Sequence, residues 1–183
     1  MPPKARISKS DIVDTAVELV RKNGEQAINA RSIASELNCS TQPIFSNFAS
    51  MEDLRAAVKE AANARYQACL DADMASGRYP PYKASGMAYI RFARQERNLF
   101  RWLFMRDRTG EQIGPPDAEP QLLLLQKNLG LTRQEAEKRH LEMWVVVHGI
   151  ASMAATAYLE LDEETISGIL SDVFLGLQRL TDQ

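Results

Sequence analysis

The stretch NCSTQPIFSNF, residues 38–48, decides how this chain is interpreted, because its apolar residues have helical spacing although Pro43 lies among them. Proline lacks a backbone N–H donor, and this loss does least harm in the first turn of a helix, where the donor has no intrahelical partner. We therefore predict a short third helix over residues 41–48, with Ser40 as its N-cap. In the turn before it, Asn38 should take a left-handed conformation, which asparagine tolerates better than most residues.

Two further helices are predicted before this stretch, which would complete a helix-turn-helix unit. Residues 8–24 carry a capping box at Ser8 and Asp11 and end at Gly24. Residues 29–37 follow, with Asn29 as the N-cap. In a helix-turn-helix unit the last helix enters the major groove of DNA. The apolar residues at 44, 45 and 48 would pack inward or against the sugar-phosphate wall of the groove. The outward side chains would be the hydrogen-bonding ones, namely Thr41, Gln42, Ser46 and Asn47.

Charge gives weaker guidance, because the formal net charge is −2 and a nucleic-acid partner would have to meet a local basic patch. Lys4, Arg6 and Lys9 form a basic N-terminal arm, and Arg31 begins the second helix. These residues could bind phosphates, or they could be an ordinary solvated charged face on a helical hairpin that never contacts DNA. Spacing and charge alone leave both interpretations open.

The remainder of the chain predicts an all-α body and no alternating strand. A fourth helix would start at Ser50, run to about residue 73 and connect the two parts. Five more helices are expected over residues 82–95, 96–106, 121–130, 132–159 and from 162 onward. We predict an N-terminal helix-turn-helix domain at residues 1–48 and a helical ligand-sensing and dimerisation domain at residues 49–183, with the connector helix at about 50–74.

Composition and motifs argue against several other classes of protein. Cys39 and Cys69 are too few for a disulfide framework and are expected to be reduced, partly buried thiols. We expect no metal, no cofactor and no enzyme, since there is no Cys/His ligand spacing, phosphate loop or nucleophile elbow. The nearly uncharged residues 143–159 are shorter than a membrane span, and we interpret them as a helix buried all round. A cytoplasmic protein is expected.

The order of motifs in residues 8–54 resembles the DNA-binding domain of the TetR family of bacterial transcriptional regulators. The resemblance runs from the first helix through NARSIA and STQPIFSNF to SMEDL. It implies that the DNA-contacting positions of the family fall on Arg31, Ser40, Thr41, Gln42, Phe45 and Asn47. The family pattern usually has glycine at Asn38, tyrosine at Phe45, histidine at Asn47 and lysine at Met51. Weaker phosphate anchoring is therefore expected here, and the full candidate set for DNA binding is Lys4, Arg6, Lys9, Arg31, Ser40, Thr41, Gln42, Pro43, Phe45, Ser46 and Asn47.

The same resemblance implies a dimeric repressor that binds double-stranded DNA at a palindromic operator and leaves it when a small hydrophobic effector binds. The eighth and ninth helices would pair two chains through a four-helix interface, with close approach at Gly149, Ala151, Ala154, Ala155, Gly168 and Gly176. These small residues could instead pack within one subunit. The other class of function left open is an all-helical interaction protein that does not bind DNA sequence-specifically.

Candidate effector-binding residues are the aromatic and methionine side chains of the predicted body, joined by one histidine. An apolar lining with few polar anchors suits a hydrophobic small molecule, although such stripes are more often plain core. In the same way, His148 could be a hydrogen-bonded core residue instead of a sensor. The candidates are Tyr66, Met87, Phe92, Phe100, Trp102, Phe104, Met105, Trp144, His148 and Met153.

Overall fold

Nine α-helices account for most of the residues that the structure, a computed structural model, describes: 7–107, 109 and 118–181. They are α1 (Lys9–Asn23), α2 (Ala30–Glu36), α3 (Gln42–Asn47), α4 (Met51–Ser76), α5 (Pro81–Gln95), α6 (Arg97–Phe104), α7 (Glu119–Leu129), α8 (Arg133–Ala155) and α9 (Glu163–Thr181). A 3-10 turn, Glu25–Ala27, lies between α1 and α2. No strand occurs in the described ranges, and the predicted all-α class is confirmed.

Packing divides the chain into two compact units. The first unit consists of Met1–Gln67 and Asn98–Arg106, and the second of Ala68–Arg97 and Asp107–Gln183. The helix α4 therefore contributes residues to both. Because these units are defined by packing and not by function, the functional domains at residues 1–48 and 49–183 stay a prediction.

The first unit is built on α1, which begins and ends where its capping residues predict. Ser8 Oγ accepts the backbone N–H of Asp11, and the Asp11 carboxylate accepts the backbone N–H of Ser8 at 2.8 Å. The inward stripe of α1 is buried, as its spacing predicts, and α2 and α3 both pack on this helix. Ile33 of α2 and Ile44 of α3 supply fully buried side chains to the same core.

The turn between α2 and α3 has the predicted left-handed residue. Asn38 has φ 50°, a region in which most side chains are strained. Around it, the N–H of Asn38 donates to the Ser35 carbonyl at 3.2 Å and the N–H of Cys39 donates to the Ala34 carbonyl at 2.9 Å. These bonds close the end of α2 and set the direction in which α3 starts.

Side chains from α4 and α6 fasten the helix-turn-helix to the remainder of the first unit. Arg55 of α4 donates to the Ile28 carbonyl at 3.1 Å and pairs with Glu25 at 3.2 Å. From α6, Asn98 donates its amide to the Arg21 carbonyl at 2.9 Å, near the C-terminal end of α1. The loop before α2 and the end of α1 are thereby fixed by hydrogen bonds as well as by apolar packing.

The second unit is centred on α5 and α8, which run in the same direction. The pairs that join them advance together along both helices, since Tyr82 bonds to His140 and Tyr89 bonds to His148. Close approach occurs at Gly86, where a Cβ atom would lie 3.2 Å from a methyl carbon of Val147. A larger residue at position 86 would push the two helices apart.

The last helix, α9, is tied to α5 and α8 by polar side chains. Lys83 donates to Ser171 Oγ at 2.7 Å. The guanidinium of Arg139 is buried, at 5% exposure, and donates to the Leu177 carbonyl at 2.7 Å. A smaller apolar cluster joins α7 to α8 through Leu122, Leu125 and Ala136, with Phe174 of α9 packed against it.

The interpretation of residues 143–159 as a helix buried all round is wrong. Val145 is 59% exposed and Tyr158 is 83% exposed, so α8 buries only part of its circumference within one chain. The helix also ends at Ala155 instead of residue 159, because Ala157 takes a left-handed conformation at φ 55° that an α-helix cannot continue. Among the described helices, none is long and apolar enough to cross a membrane.

The left-handed turn gives a test of stability. Replacing Asn38 by alanine should lower the free energy of unfolding by about 1 kcal/mol, because alanine is strained in this conformation and asparagine less so. Asn38→Gly should leave stability unchanged or raise it slightly, since glycine has no Cβ. Urea denaturation of the three proteins measures the difference. Equal stability of the alanine and glycine variants would show that residue 38 does not need this conformation.

Candidate nucleic-acid interface

The start of α3 differs from the prediction by one residue. Its N-cap is Thr41 instead of Ser40, and no side chain caps the helix at this end. Thr41 already has helical backbone angles, so the turn feeds directly into the helix and no extended capping residue is needed. Pro43 nevertheless falls in the first turn, as predicted, where its missing N–H costs little. Ser40, predicted to contact DNA, lies exposed in the turn.

The inner and outer faces of α3 are sharply different. Ile44 and Phe48 are 1% and 4% exposed, and both face the core of the first unit. Since residues four apart share one side of a helix, this burial turns Gln42 and Phe45 outward. Gln42 is exposed and Phe45 is 56% exposed. Of the apolar residues expected to pack inward or against a backbone wall, Phe45 is the one that does not pack inward.

Two of the predicted polar contacts of α3 are engaged within the helix itself. Ser46 donates its hydroxyl to the Gln42 carbonyl at 2.9 Å, and Asn47 donates its amide to the Pro43 carbonyl at 2.8 Å. Such bonds to the carbonyl one turn back are common for these side chains. The Ser46 hydroxyl hydrogen is therefore already used, although its oxygen can still accept, and the Asn47 amide keeps a second N–H and its Oδ1 for another partner.

The basic side chains nearest the helix-turn-helix differ in whether a carboxylate pairs with them. Arg21, Arg55, Arg65 and Lys22 all have glutamate partners, at distances between 2.7 and 3.8 Å. Arg31 is exposed at the start of α2, and no carboxylate of the described chain pairs with it. Lys9 places its ammonium 5.0 Å from the centre of the Phe48 ring, a cation–π contact at the end of α3. Lys4 and Arg6 lie outside the described residues.

The ten candidate effector residues do not form one group. Five lie in the first unit, namely Tyr66, Phe100, Trp102, Phe104 and Met105, and five in the second, namely Met87, Phe92, Trp144, His148 and Met153. Phe92 and Phe100 are fully buried core residues, and Phe104 packs edge-on against Tyr66 with ring centres 5.2 Å apart. Much of this aromatic set is therefore ordinary core.

A cavity of about 210 Å³ in the second unit has a lining that the sequence did not single out. Met87 is the one effector candidate on its wall, beside Ile90 and Ile166. The other walls are polar or charged and come from the end of α4, the α4–α5 loop, α5 and the start of α9: Asp73, Ser76, Arg78, Tyr79, Arg91, Arg94 and Glu163. These residues resemble solvated surface charges in the sequence, so no signal separated them from other exposed arginines and glutamates.

Each of the two histidines of the chain forms a hydrogen bond with a tyrosine on α5. The Tyr82 hydroxyl lies 3.0 Å from His140 Nδ1, and the Tyr89 hydroxyl lies 3.0 Å from His148 Nδ1. Trp144 stacks on the His148 ring with centres 4.8 Å apart. Burial lowers the pKa of both imidazoles and raises the pKa of Tyr82, so neutral forms are favoured throughout. The expectation that His148 could be a hydrogen-bonded residue of the packed body agrees with these contacts.

The histidine pairs give the second unit a pH dependence. A histidine whose pKa is lowered by folding contributes stability that is complete above the unfolded pKa of about 6.5 and is lost as the pH falls through the folded value. The melting temperature should therefore fall between pH 7.5 and 5.5. In His140→Gln/His148→Gln, which keeps hydrogen-bonding side chains without the titration, this fall should be smaller. Parallel melting curves for both proteins over this range would contradict the assignment.

The chain is similar to known proteins in part of its sequence and in its fold. Residues 82–169, from α5 into α9, match the family described as tetracyclin repressor-like, C-terminal domain. Among solved structures, a member of the TetR family from Streptomyces coelicolor A3 has a similar fold. Its TM-score is 0.57 over 90% of this chain and 96% of that chain, at 16% sequence identity, a likeness that concerns the fold alone. A comparison with curated proteins found no match.

The helix-turn-helix at the N-terminus resembles that of the TetR family, and the matched domain follows it on the same chain. The fold of the whole is shared with a solved TetR-family structure. Residues 82–169 of this protein therefore match a tetracyclin repressor-like C-terminal domain, and the chain has the fold of a solved TetR-family protein.

Proposed function

We propose that the protein is a dimeric repressor that binds a palindromic DNA operator through α3 and is released from it by a small effector. The observation that carries this proposal is the orientation of α3, which buries Ile44 and Phe48 and presents Gln42 and Phe45 to solvent. A helix held in this way is able to enter the major groove with its first residues toward the base edges. Gln42 is the residue suited to read a base, since its amide can both donate and accept a hydrogen bond.

Phosphate binding in this proposal depends on few cations. Arg31 is exposed and without a carboxylate partner in the described chain, so it can bind a phosphate without first breaking an ion pair. Lys9 is held at the end of α3 by the Phe48 ring, a position from which it can contact the backbone beside the groove. No lysine or arginine lies in residues 41–48. The unpaired Arg31 and the N-terminal arm would therefore supply most of the attraction to phosphates.

Dimerisation is proposed through α8 and α9. Leu141, Val145 and Gly149 recur every four residues on one stripe of α8, where both apolar side chains are exposed, at 46% and 59%. On α9, Leu175 is 51% exposed, and Gly168 and Gly176 have open space where a Cβ would point. Uncovered apolar side chains beside glycines suit close contact with a second chain.

The alanines of α8 do not belong to that surface. Ala151, Ala154 and Ala155 are 4% exposed or less, so they pack within the subunit, as the sequence left open. The prediction that they meet the partner is therefore wrong for these three positions. The proposed interface uses the stripe of Leu141, Val145 and Gly149 in their place.

Release by an effector follows from the architecture of such a dimer. Two α3 helices must be held about 34–36 Å apart to occupy successive turns of the major groove. A small molecule that binds more tightly when the two α3 helices have a different spacing lowers the affinity for DNA. The size of this effect is set by the difference between its affinities for the DNA-binding and the non-binding conformations. Candidate positions in the second unit are Met87, Trp144, His148 and Met153, and the charged cavity beside Met87 would add polar anchors to an apolar ligand.

The other candidate function is an all-helical interaction protein without sequence-specific DNA binding. The salt dependence of binding distinguishes a DNA-binding repressor from such an interaction protein, because binding to DNA releases counterions and weakens steeply as the salt concentration rises. A palindromic duplex, selected from genomic fragments that the purified protein retains, provides the ligand. Absence of any retained duplex would favour the interaction protein.

Arg31→Ala should weaken binding to every DNA sequence, because one phosphate contact is lost per chain. The magnitude of the slope of the logarithm of the DNA association constant against the logarithm of the salt concentration should fall by about 0.9 for each chain of the dimer. Lys127→Ala is the matched control: it removes one exposed positive charge from the second unit. Fluorescence anisotropy at several salt concentrations measures both slopes. An unchanged slope in Arg31→Ala, or an equal loss in the control, would contradict the role of Arg31.

Val145→Glu should convert a dimer into a monomer, because two carboxylates would be buried in the proposed interface without partners. Light scattering should show a mass of 20.5 kDa, the mass of one chain, in place of twice that value. Leu123→Glu on α7 is the matched control, since Leu123 is 55% exposed and lies outside the proposed interface. A Val145→Glu protein that remains dimeric would place the interface elsewhere.

A further inference from the structure

The cavity bounded by the end of α4, α5 and the start of α9 has an apolar floor and a charged rim. Met87, Ile90 and Ile166 line it and are 7% exposed or less. Arg94 lines the same cavity and is exposed, so its charge lies nearer the solvent than the apolar side chains do. A wall of this kind suits a ligand with one charged end and one apolar end.

The charges on the wall of the cavity do not balance. The guanidinium of Arg78 lies 2.8 Å from the Glu163 carboxylate, and Arg91 forms an ion pair with Asp73. Arg94 has no ion pair within the described part of the chain. Because the paired groups cancel, the lining carries one uncompensated positive charge. A negatively charged ligand is therefore favoured at Arg94, and a positively charged one is disfavoured.

Asp162, the residue before α9, does not take up the charge of Arg94. Its carboxylate accepts the backbone N–H of Thr165 at 2.7 Å. Hydrogen bonds from Thr165 are the main cause of the lowered pKa of Asp162, and the positive charge of Arg94 adds to this effect without an ion pair. The guanidinium of Arg94 therefore keeps its planar set of N–H donors for a carboxylate that arrives from solvent.

The size of the cavity limits the ligand. Its volume of about 210 Å³ corresponds to about seven water molecules, at roughly 30 Å³ each. Sites for drug-sized molecules usually measure roughly 300–1,000 Å³. A carboxylic acid of about six carbon atoms fills the space, whereas a large hydrophobic molecule does not fit.

We propose that this cavity binds a short-chain carboxylate, with the carboxylate paired to Arg94 and the apolar chain against the floor. This inference rests on the proposed function for the role of the ligand as the effector that releases DNA, whereas binding itself needs no DNA. Carboxylates are ionised at neutral pH, and their bidentate pairs with a guanidinium are among the stronger hydrogen-bonded contacts in proteins. An inorganic anion would pair with Arg94 but leave the apolar floor uncovered.

Isothermal titration calorimetry of the full chain without DNA tests the site, with hexanoate as the probe. Hexanoate should bind at one molecule per chain at millimolar concentrations. Hexanamide has the same shape without the charge, and it should bind at least about tenfold more weakly, the expectation for losing a charge-assisted hydrogen bond. Acetate keeps the charge without the chain, and it should also bind at least about tenfold more weakly because it covers less apolar surface.

Substitution of Arg94 locates the binding site. Arg94→Gln should lose at least about tenfold in affinity for hexanoate and should bind hexanoate and hexanamide about equally. Arg94→Glu should reverse the preference and favour hexylammonium over hexanoate, because the lining then carries an uncompensated negative charge. Arg101→Gln is the matched control: Arg101 is exposed on α6, in the first unit, and does not line the cavity, so this variant should keep the native preference. Melting curves establish that all three variants are folded.

The effect on DNA is measured separately, by fluorescence anisotropy with a selected operator duplex. Hexanoate should weaken operator binding by the native protein, and DNA should weaken hexanoate binding by the same factor, because the two affinities are linked. In Arg94→Gln the same release should need at least about tenfold more hexanoate. In Arg101→Gln it should need the same concentration as in the native protein.

The outcomes distinguish the carboxylate site from the function on which its role rests. Equal binding of hexanoate and hexanamide, no binding of hexanoate at millimolar concentrations, or an unchanged preference in Arg94→Gln would refute the site, whatever the protein does with DNA. If hexanoate binds with the expected dependence on charge but leaves salt-dependent operator binding unchanged, the site stands and release by this ligand is refuted. If no duplex is retained, the DNA-binding proposal fails, and calorimetry alone decides on the carboxylate site.

Discussion

The burial of Ile44 and Phe48 is the constraint on which the candidate interface depends. These two residues lie one turn apart and face the core of the first unit, so the rotation of α3 about its own axis is fixed. Every outward position of the helix follows from that rotation, including Gln42 and Phe45. The ring of Phe48 also holds the ammonium of Lys9 at 5.0 Å, so the residue that closes the core places a cation at the end of the same helix.

Much of the fold could be predicted because its boundaries depend on a few neighbouring residues. The capping box at Ser8 and the left-handed Asn38 are local arrangements that short stretches of sequence specify. Where the outcome depends on distant packing, prediction failed. The apolar run at residues 143–159 gave no sign of the left-handed Ala157, nor that Val145 would be exposed within one chain.

The candidate sites show the same contrast. Helical spacing predicted the outward position of Gln42, but it could not show that Phe45 would be exposed or that Ser46 and Asn47 would bond to their own helix. The effector candidates were chosen by residue type, and type alone cannot separate a core ring such as Phe92 from a cavity wall. The charged lining beside Met87 was missed for the opposite reason, since arginines and glutamates occur on every exposed surface.

The buried guanidinium of Arg139 has a consequence for the integrity of the second unit. It donates to the Leu177 carbonyl, near the end of the last helix, and a buried cation that loses its acceptor is strongly destabilising. The stability of the second unit therefore depends on α9. Cleavage of the exposed link at residues 156–160 should leave two fragments that stay associated, whereas removal of the C-terminal fragment should unfold what remains of this unit.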